Sequence, residues 1–294
     1  MPYIETREAR PEDREAVLAF CVHTWEWGDY IEYVWDEWLH DPNGKLFVAT
    51  VDGQPAGVAH VQMLTENDAW LEGIRVDPTY RQLGLATTLH QAMQLEAMQR
   101  GATNARLVTE STNIAAITLT EHGGFRRIGA FAPFKAAPVA TPSKQQYALQ
   151  KPQLAAAANI PDIIDYLNAS SIFPATGGIY YYGFTAYPIT GKLLESKVAA
   201  GQVYILRRWE RLDGIVIAEP REGHQGRQLS IGYIDGTTES ISMMAYALRT
   251  LITDQGLEHV NAYVPDLMMV RDAFVGAEYE WDGKVFYTYE KGLI

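Results

Sequence analysis

Short runs of alternating apolar and polar residues mark strands along the first half of the chain, and stretches of helical period separate them. A strand over 4–7 precedes a helix over 12–23, which Pro11 and the acidic pair Glu12-Asp13 start well. A second helical stretch, 30–39, ends before Asp41-Pro42-Asn43-Gly44. Runs over 46–51 and 54–64 flank Asp52-Gly53 and predict a hairpin. A strand over 70–76, a helix over 85–100 stopped by Gly101, and a strand over 105–109 follow. Next come a helix ended by Gly123-Gly124, a strand over 126–131, a loop over 132–144 with Pro133, Pro138 and Pro142, and a closing strand over 145–150. Mixed strands with helices on both faces of a central sheet predict an α/β fold of mixed α+β layers.

The same order returns after a linker at Lys151-Pro152-Gln153-Leu154 and the alanine run 155–158. It predicts a helix over 160–169, a hairpin from 203–208 and 214–219, a strand over 229–234, a helix over 240–254 and a strand over 259–264. Segments 268–274, 278–281 and 284–290 complete it. A chain of 294 residues is long for one core, so the reading is one fold present twice, with domains 1–151 and 152–294.

The segment from Ile74 to Leu89 orders a buried strand, a tight loop and a helix, which builds an anion site. The first N–H groups of a helix lack carbonyl partners within it, and its dipole favours negative charge there. Small Gly84 and Ala86 keep the backbone of residues 82–87 approachable, so a pyrophosphate fits. Downstream stands Asn113-Ile-Ala-Ala-Ile-Thr-Leu-Thr-Glu-His-Gly-Gly-Phe125. The two motifs, in this order and spacing, resemble the GNAT superfamily of N-acetyltransferases. There an Arg/Gln-x-x-Gly-x-Gly/Ala loop binds acetyl-CoA, and an Asn-x-x-Ala-x-x-Leu-Tyr segment follows. The resemblance covers residues 3–150. It implies a mostly antiparallel sheet and acetyl transfer to a primary amine of a small molecule by direct attack. It further implies a diphosphate held by Arg81, Gln82, Leu83, Gly84, Leu85, Ala86 and Thr87. The backbone of Ile74, Arg75 and Val76 would pair with the pantetheine arm, with the Val76 N–H aimed at the thioester oxygen. Asn113 would either contact that arm or cap the helix after it.

The family's tyrosine, which protonates the leaving thiolate, is replaced by Thr120, a weak acid that can still donate a hydrogen bond. For the base, strand alternation puts Glu72 on the face of Ile74, and Glu110 at the end of the next strand is second. An α-amine and a lysine-type amine differ by about 3.5 kcal/mol of deprotonation, so the acceptor decides how strong a base is needed. The acceptor would meet the aromatic and acidic stretch holding Trp25, Trp27 and Tyr30, which suits a cationic amine and equally describes an amphipathic helix. A longer acyl-CoA as donor and a non-catalytic acyl-CoA sensor stay open as alternatives. In the second half, Asp235-Gly-Thr-Thr-Glu-Ser-Ile-Ser242 holds the place of the phosphate loop without its small residues and with Glu239 nearby. That copy is expected to be degenerate and to bind no CoA.

A net charge of -12 argues against nucleic-acid and membrane-surface partners. The lone Cys21 excludes an internal disulfide and fits a cytoplasmic setting, and no apolar run reaches membrane-spanning length. His122 and His224 lack partners at metal-ligand spacing, so no metal is expected. A monomer and a homodimer are both compatible with the sequence.

Overall fold

Strand β1 (Ile4–Glu8) runs antiparallel to β2 (Gly44–Val51), which turns back into β3 (Gln54–Met63). Asp52 and Gly53 form the turn with φ of 50° and 84°, the left-handed pair that matches the twist of a tight hairpin. Antiparallel β4 (Asp68–Val76) and parallel β5 (Asn104–Glu110) extend the sheet. Helices α1 (Arg14–Cys21) and α2 (Ile31–Leu39) cover one face, where Val17, Cys21, Ile31, Trp35 and Trp38 pack on Leu46, Val48 and Val58. Burial pushes the Cys21 thiol up to about 12, which makes it a core residue rather than a nucleophile. Gly57, beside Val58, faces Leu89 of α3 (Leu85–Gln99), so α3 lies on the opposite face. Helix α4 (Ile114–His122) follows β5.

The computed structural model describes residues 2–24, 28–140, 151–223 and 226–293. The chain divides into two units, Met1–Arg126 with Tyr289–Ile294, and Arg127–Thr288. The division differs from the expected boundary at 151 because each unit is closed by a strand from the other half of the chain. In the first unit, residues 289–292 take the place beside β5. There Tyr289 donates to Glu121 at 3.0 Å, Glu290 pairs with Arg106 at 2.6 Å, and Lys291 donates to Gln94 at 2.6 Å and to the Gly123 carbonyl at 2.9 Å.

In the second unit, β6 (Arg126–Ala136) continues past residue 131, where a loop was expected, because Phe134 and Ala136 keep burying alternate positions beyond Pro133. After it come β7 (Gln153–Leu154), α5 (Ile160–Ala169), α6 (Ile172–Ala175), the hairpin β8 (Ile179–Tyr182) and β9 (Thr185–Pro188), and α7 (Gly191–Ala199). Then follow β10 (Val203–Arg208), β11 (Arg211–Gly223), β12 (Gly226–Gly236), α8 (Thr238–Gln255), β13 (His259–Pro265), α9 (Met268–Gly276) and β14 (Phe286–Gly292). Its sheet order is β6-β13-β12-β11-β10-β7, with β12 and β13 parallel and the rest antiparallel. Of the expected strand 278–281, Glu280 forms a bridge to Lys135. The strand expected over 145–150 lies outside the described residues, as does His224. No helix among the described residues is long and apolar enough to cross a membrane.

Candidate functional site

Strands β4 and β5 pair at Asp68 with Asn104, Ala69 with Ala105 and Trp70 with Arg106, and beyond that point they part. The buried ion pair of Arg106 with Asp68, at 2.5 Å, ties the closed end. On its other edge β4 stays paired with β3 as far as Val76, but one residue is out of step: Arg75 opposes Val58 while Glu72 opposes His60. The extra residue is a β-bulge. Gly73 carries it with φ of 72°, and a Cβ there would lie 2.6 Å from the Trp38 ring. The bulge overturns the alternation argument for Glu72. Glu72 and Arg75, three apart, share the α2 face, and Ile74 is no longer on the face of Glu72. Asp77 donates its N–H to the Ala56 carbonyl at 2.9 Å, so by alternation the Val76 N–H points to the edge that β5 has left.

The loop after β4 begins with Asp77 accepting the Thr79 N–H at 2.8 Å around the turn Pro78–Tyr80. Gln82 and Gly84 then take left-handed φ of 66° and 86°, a change of hand that turns successive N–H groups to one side. The first helical bond of α3 runs from Thr88 N–H to the Gly84 carbonyl, which leaves the N–H groups of Leu85, Ala86 and Thr87 without carbonyls inside the helix. Arg81, Gln82, Leu83, Gly84 and Thr87 are exposed, and a Cβ on Gly84 would meet no protein atom within 4 Å.

On the α2 face, Glu72 Oε1 lies 3.1 Å from His60 Nδ1 and accepts from Gln62 Nε2 at 3.2 Å. His60 is fully buried and stacks on Trp38, with ring centroids 4.5 Å apart. Tyr30 sets its ring edge-on to Trp38 and 5.2 Å from the Arg75 guanidinium. Burial pushes its hydroxyl up to about 12; Arg75 lowers it, and the nearby Glu72 and Asp29 carboxylates raise it. The Arg75 side chain is committed to buried Asp29, at 2.6 and 3.2 Å, so only its backbone remains for a ligand. Trp35 and Trp38 are buried while Tyr33, Glu32, Asp36 and Glu37 are exposed, the amphipathic-helix alternative. Trp25 and Trp27 lie outside the described residues. Sequence reasoning missed Gly73, His60 and Gln62; a glycine inside an apolar strand was the signal for the first.

Glu110 bonds locally, accepting from Thr112 Oγ1 at 3.1 Å. Asn113 Oδ1 accepts the Ala116 N–H at 3.1 Å and so caps α4. Thr120 is buried, at 3% exposure. No group of three or more His, Cys, Asp or Glu among the described residues is arranged to hold a metal.

The family model "Acetyltransferase (GNAT) family" matches residues 11–125. That segment is a GNAT acetyltransferase domain. The GNAT fold extends over the whole chain in solved structures. A GCN5-related N-acetyltransferase from Sphaerobacter thermophilus is 13% identical with a TM-score of 0.61, covering 99% of this chain and 96% of its own. A tandem GNAT protein from the clavulanic acid biosynthesis pathway is 11% identical with a TM-score of 0.54, covering 99% of each chain. A GCN5-related glucosamine N-acetyltransferase region of a fungal multi-domain GH3 β-N-acetylglucosaminidase is 14% identical with a TM-score of 0.63, covering 99% of this chain and 38% of that one. No curated protein matches the chain by sequence. GNAT enzymes use acetyl-CoA as co-substrate, and the chain is an acyltransferase.

The second GNAT copy keeps the bulge and differs around it. Ala218 opposes Ile231 while Ile217 opposes Tyr233, so Gly232 is the extra residue and Ile231 stands where the first copy has Glu72. Pairing of β12 with β13 ends at Ile231 and Ala262. Beside this point Tyr181 of β8 is buried, its ring 4.8 Å from Phe131 and 4.3 Å from Tyr263 and its hydroxyl bonded to Thr288. A Cβ on Gly232 would collide with the Tyr181 carbonyl. The start of α8 is capped by Thr237, which accepts the Ser240 N–H at 3.2 Å, and Arg208 pairs beside it with Glu239 at 2.8 Å and Asp213 at 3.3 Å.

Proposed function

We propose that the first unit transfers an acetyl group from acetyl-CoA to a primary amine of a small molecule by direct attack. The observation that carries this reading is the parting of β4 and β5 beside the Gly73 bulge, next to a helix start at Gly84 whose first N–H groups have no carbonyl partners within the helix. Residues 82–87 would hold the diphosphate through backbone N–H groups, with Arg81 at the rim, and Ile74 to Val76 would pair with the arm. Bound acetyl-CoA supplies a thioester carbonyl as the electrophile. The Val76 N–H is directed to stabilise negative charge on that carbonyl oxygen. Glu72, one-fifth exposed, takes the amine proton, and Tyr30 offers aromatic surface to the ammonium form. With Thr120 buried, the leaving sulfur receives its proton from solvent. We further propose that the second unit binds no coenzyme A, since Tyr181 packs beside its bulge and side chains close the start of α8. The enzyme is read as cytoplasmic, acting as a monomer or homodimer without nucleic-acid or membrane partners.

Thiol release from acetyl-CoA over a panel of small amines tests the reading; no release with any amine refutes it. Glu72→Gln is expected to lower kcat/KM by about 10²- to 10⁴-fold at low pH, with a smaller loss as pH approaches the pKa of the amine. An unchanged pH profile passes the role to Glu110 or to water.

A further inference from the structure

Glu72 stands between two donors that both address one oxygen. His60 Nδ1 and Gln62 Nε2 approach Oε1, and no hydrogen bond from the described residues reaches Oε2. Among the described residues the carboxylate is therefore pinned by one oxygen and free at the other. The imidazole that pins it is itself fixed: Trp38 lies parallel to it at 4.5 Å with planes 7° apart, and Asp41 Oδ2 sits 3.4 Å from Nε2 without a hydrogen bond. Gly44 makes that approach possible, because a Cβ there would come within 2.7 Å of His60 Nε2 and 2.6 Å of the Val61 carbonyl. A histidine that only filled the core would need neither a carboxylate at each nitrogen nor a glycine to admit one of them.

We propose that His60 is a positioning residue of the acetyl transfer, donating from Nδ1 to Glu72 Oε1 so that Oε2 is presented to the amine, with the stacked Trp38 ring fixing the plane of the imidazole. The inference rests on Glu72 as the base. The charged or titratable groups facing His60 are Glu72 from β4 and Asp41 from the turn after α2; Trp38 of α2 and Gln62 of β3 are neutral. Around Glu72 stand Tyr30 and, beyond it, Arg75 with Asp29.

The test compares His60→Asn with His60→Gln in the full chain. The Asn amide can put an N–H where Nδ1 stands, whereas the Gln amide puts it where Nε2 stands. We expect His60→Asn to keep kcat within about threefold of the parent and His60→Gln to lose about 10- to 100-fold, the weight of one hydrogen bond to a charged group, with KM little changed. The acid limb of the kcat/KM profile moves only in His60→Gln. Nitrogen NMR of the imidazole supplies a readout apart from activity: a protonated His60 Nδ1 whose resonance shifts in Glu72→Gln. Equal losses in the two His60 variants, or an unprotonated Nδ1, overturn the proposal while leaving Glu72 as the base. An unchanged pH profile in Glu72→Gln overturns both.

Discussion

Gly73 is where backbone geometry and packing meet, and its replacement by alanine has a calculable cost. Two penalties add. The φ of 72° is left-handed and costs a non-glycine residue about 1–2 kcal/mol. The new Cβ would lie 2.6 Å from two atoms of the Trp38 ring in a buried contact, and overpacking of this kind costs about 1–3 kcal/mol. The sum, about 2–5 kcal/mol, is a large share of the ~5–15 kcal/mol by which a domain is stable. Gly53→Ala supplies the reference, because its φ is also left-handed, at 84°, yet no atom lies within 4 Å of the new Cβ. That variant loses the backbone part alone, about 1–2 kcal/mol. The packing part is isolated by a cycle with Trp38→Phe, which removes the outer ring atoms that Cβ meets. In that background the Gly73→Ala penalty is expected to fall by about 1–3 kcal/mol, giving a coupling of that size in urea unfolding at constant m. Additive effects of Gly73→Ala and Trp38→Phe would refute the contact, and a Gly73→Ala cost equal to that of Gly53→Ala would refute the packing argument.

Three further outcomes follow from the first unit. Burial, with Lys291 second, lowers His90 from 6.5 to about 4, so between those values the unfolded chain binds the proton that the folded one refuses. Stability therefore falls as pH drops from 6.5 toward 4, by about 3 kcal/mol from this residue, and His90→Gln flattens the slope in urea melts between pH 7 and 5; an unchanged slope would refute it. Lys291→Met removes bonds to Gln94 and Gly123 and is expected to cost about 1–3 kcal/mol, with hydrogen exchange rising in α3 and α4. Gly84→Glu fills the cradle with bulk and negative charge, and calorimetric titration should show coenzyme A affinity lost; retained affinity refutes the placement of the diphosphate.

Local signals carried the loop after β4 and the helix it starts, because Gly84 marks a left-handed residue and the apolar period from Leu85 to Ala97 marks the buried face. The Asn113 cap and the Gly123-Gly124 end of α4 were legible for the same reason. The setting of Glu72 was not. Counting by twos from Val76 to Glu72 assumes an unbroken strand, and one inserted residue reverses the answer. His60 showed nothing in sequence, since a histidine in an apolar strand acquires meaning only from the residue opposite it. The exchange of closing strands was equally hidden: β6 and β14 have ordinary strand patterns, and a pattern of burial does not name the partner.

The two GNAT copies form an internal comparison that separates backbone from chemistry. Gly73 and Gly232 each stand at a one-residue bulge, so the register shift is common to both, though only Gly73 takes a left-handed φ. What differs is what lies beside it: Glu72 precedes one glycine and Ile231 the other, and Tyr181 packs against the second. Tyr181→Ala removes a buried aromatic ring and is expected to cost about 3–5 kcal/mol in the second unit. It is expected to give no second coenzyme A site, because Thr237 already accepts the Ser240 N–H and the Glu239 carboxylate, paired with Arg208, sets negative charge at the start of α8. Titration should therefore return one site per chain in both parent and variant. Two sites in the variant would mean that removing the wedge alone, without freeing a helix start, suffices to admit the nucleotide, and the open terminus of α3 would then not be what sets the two copies apart.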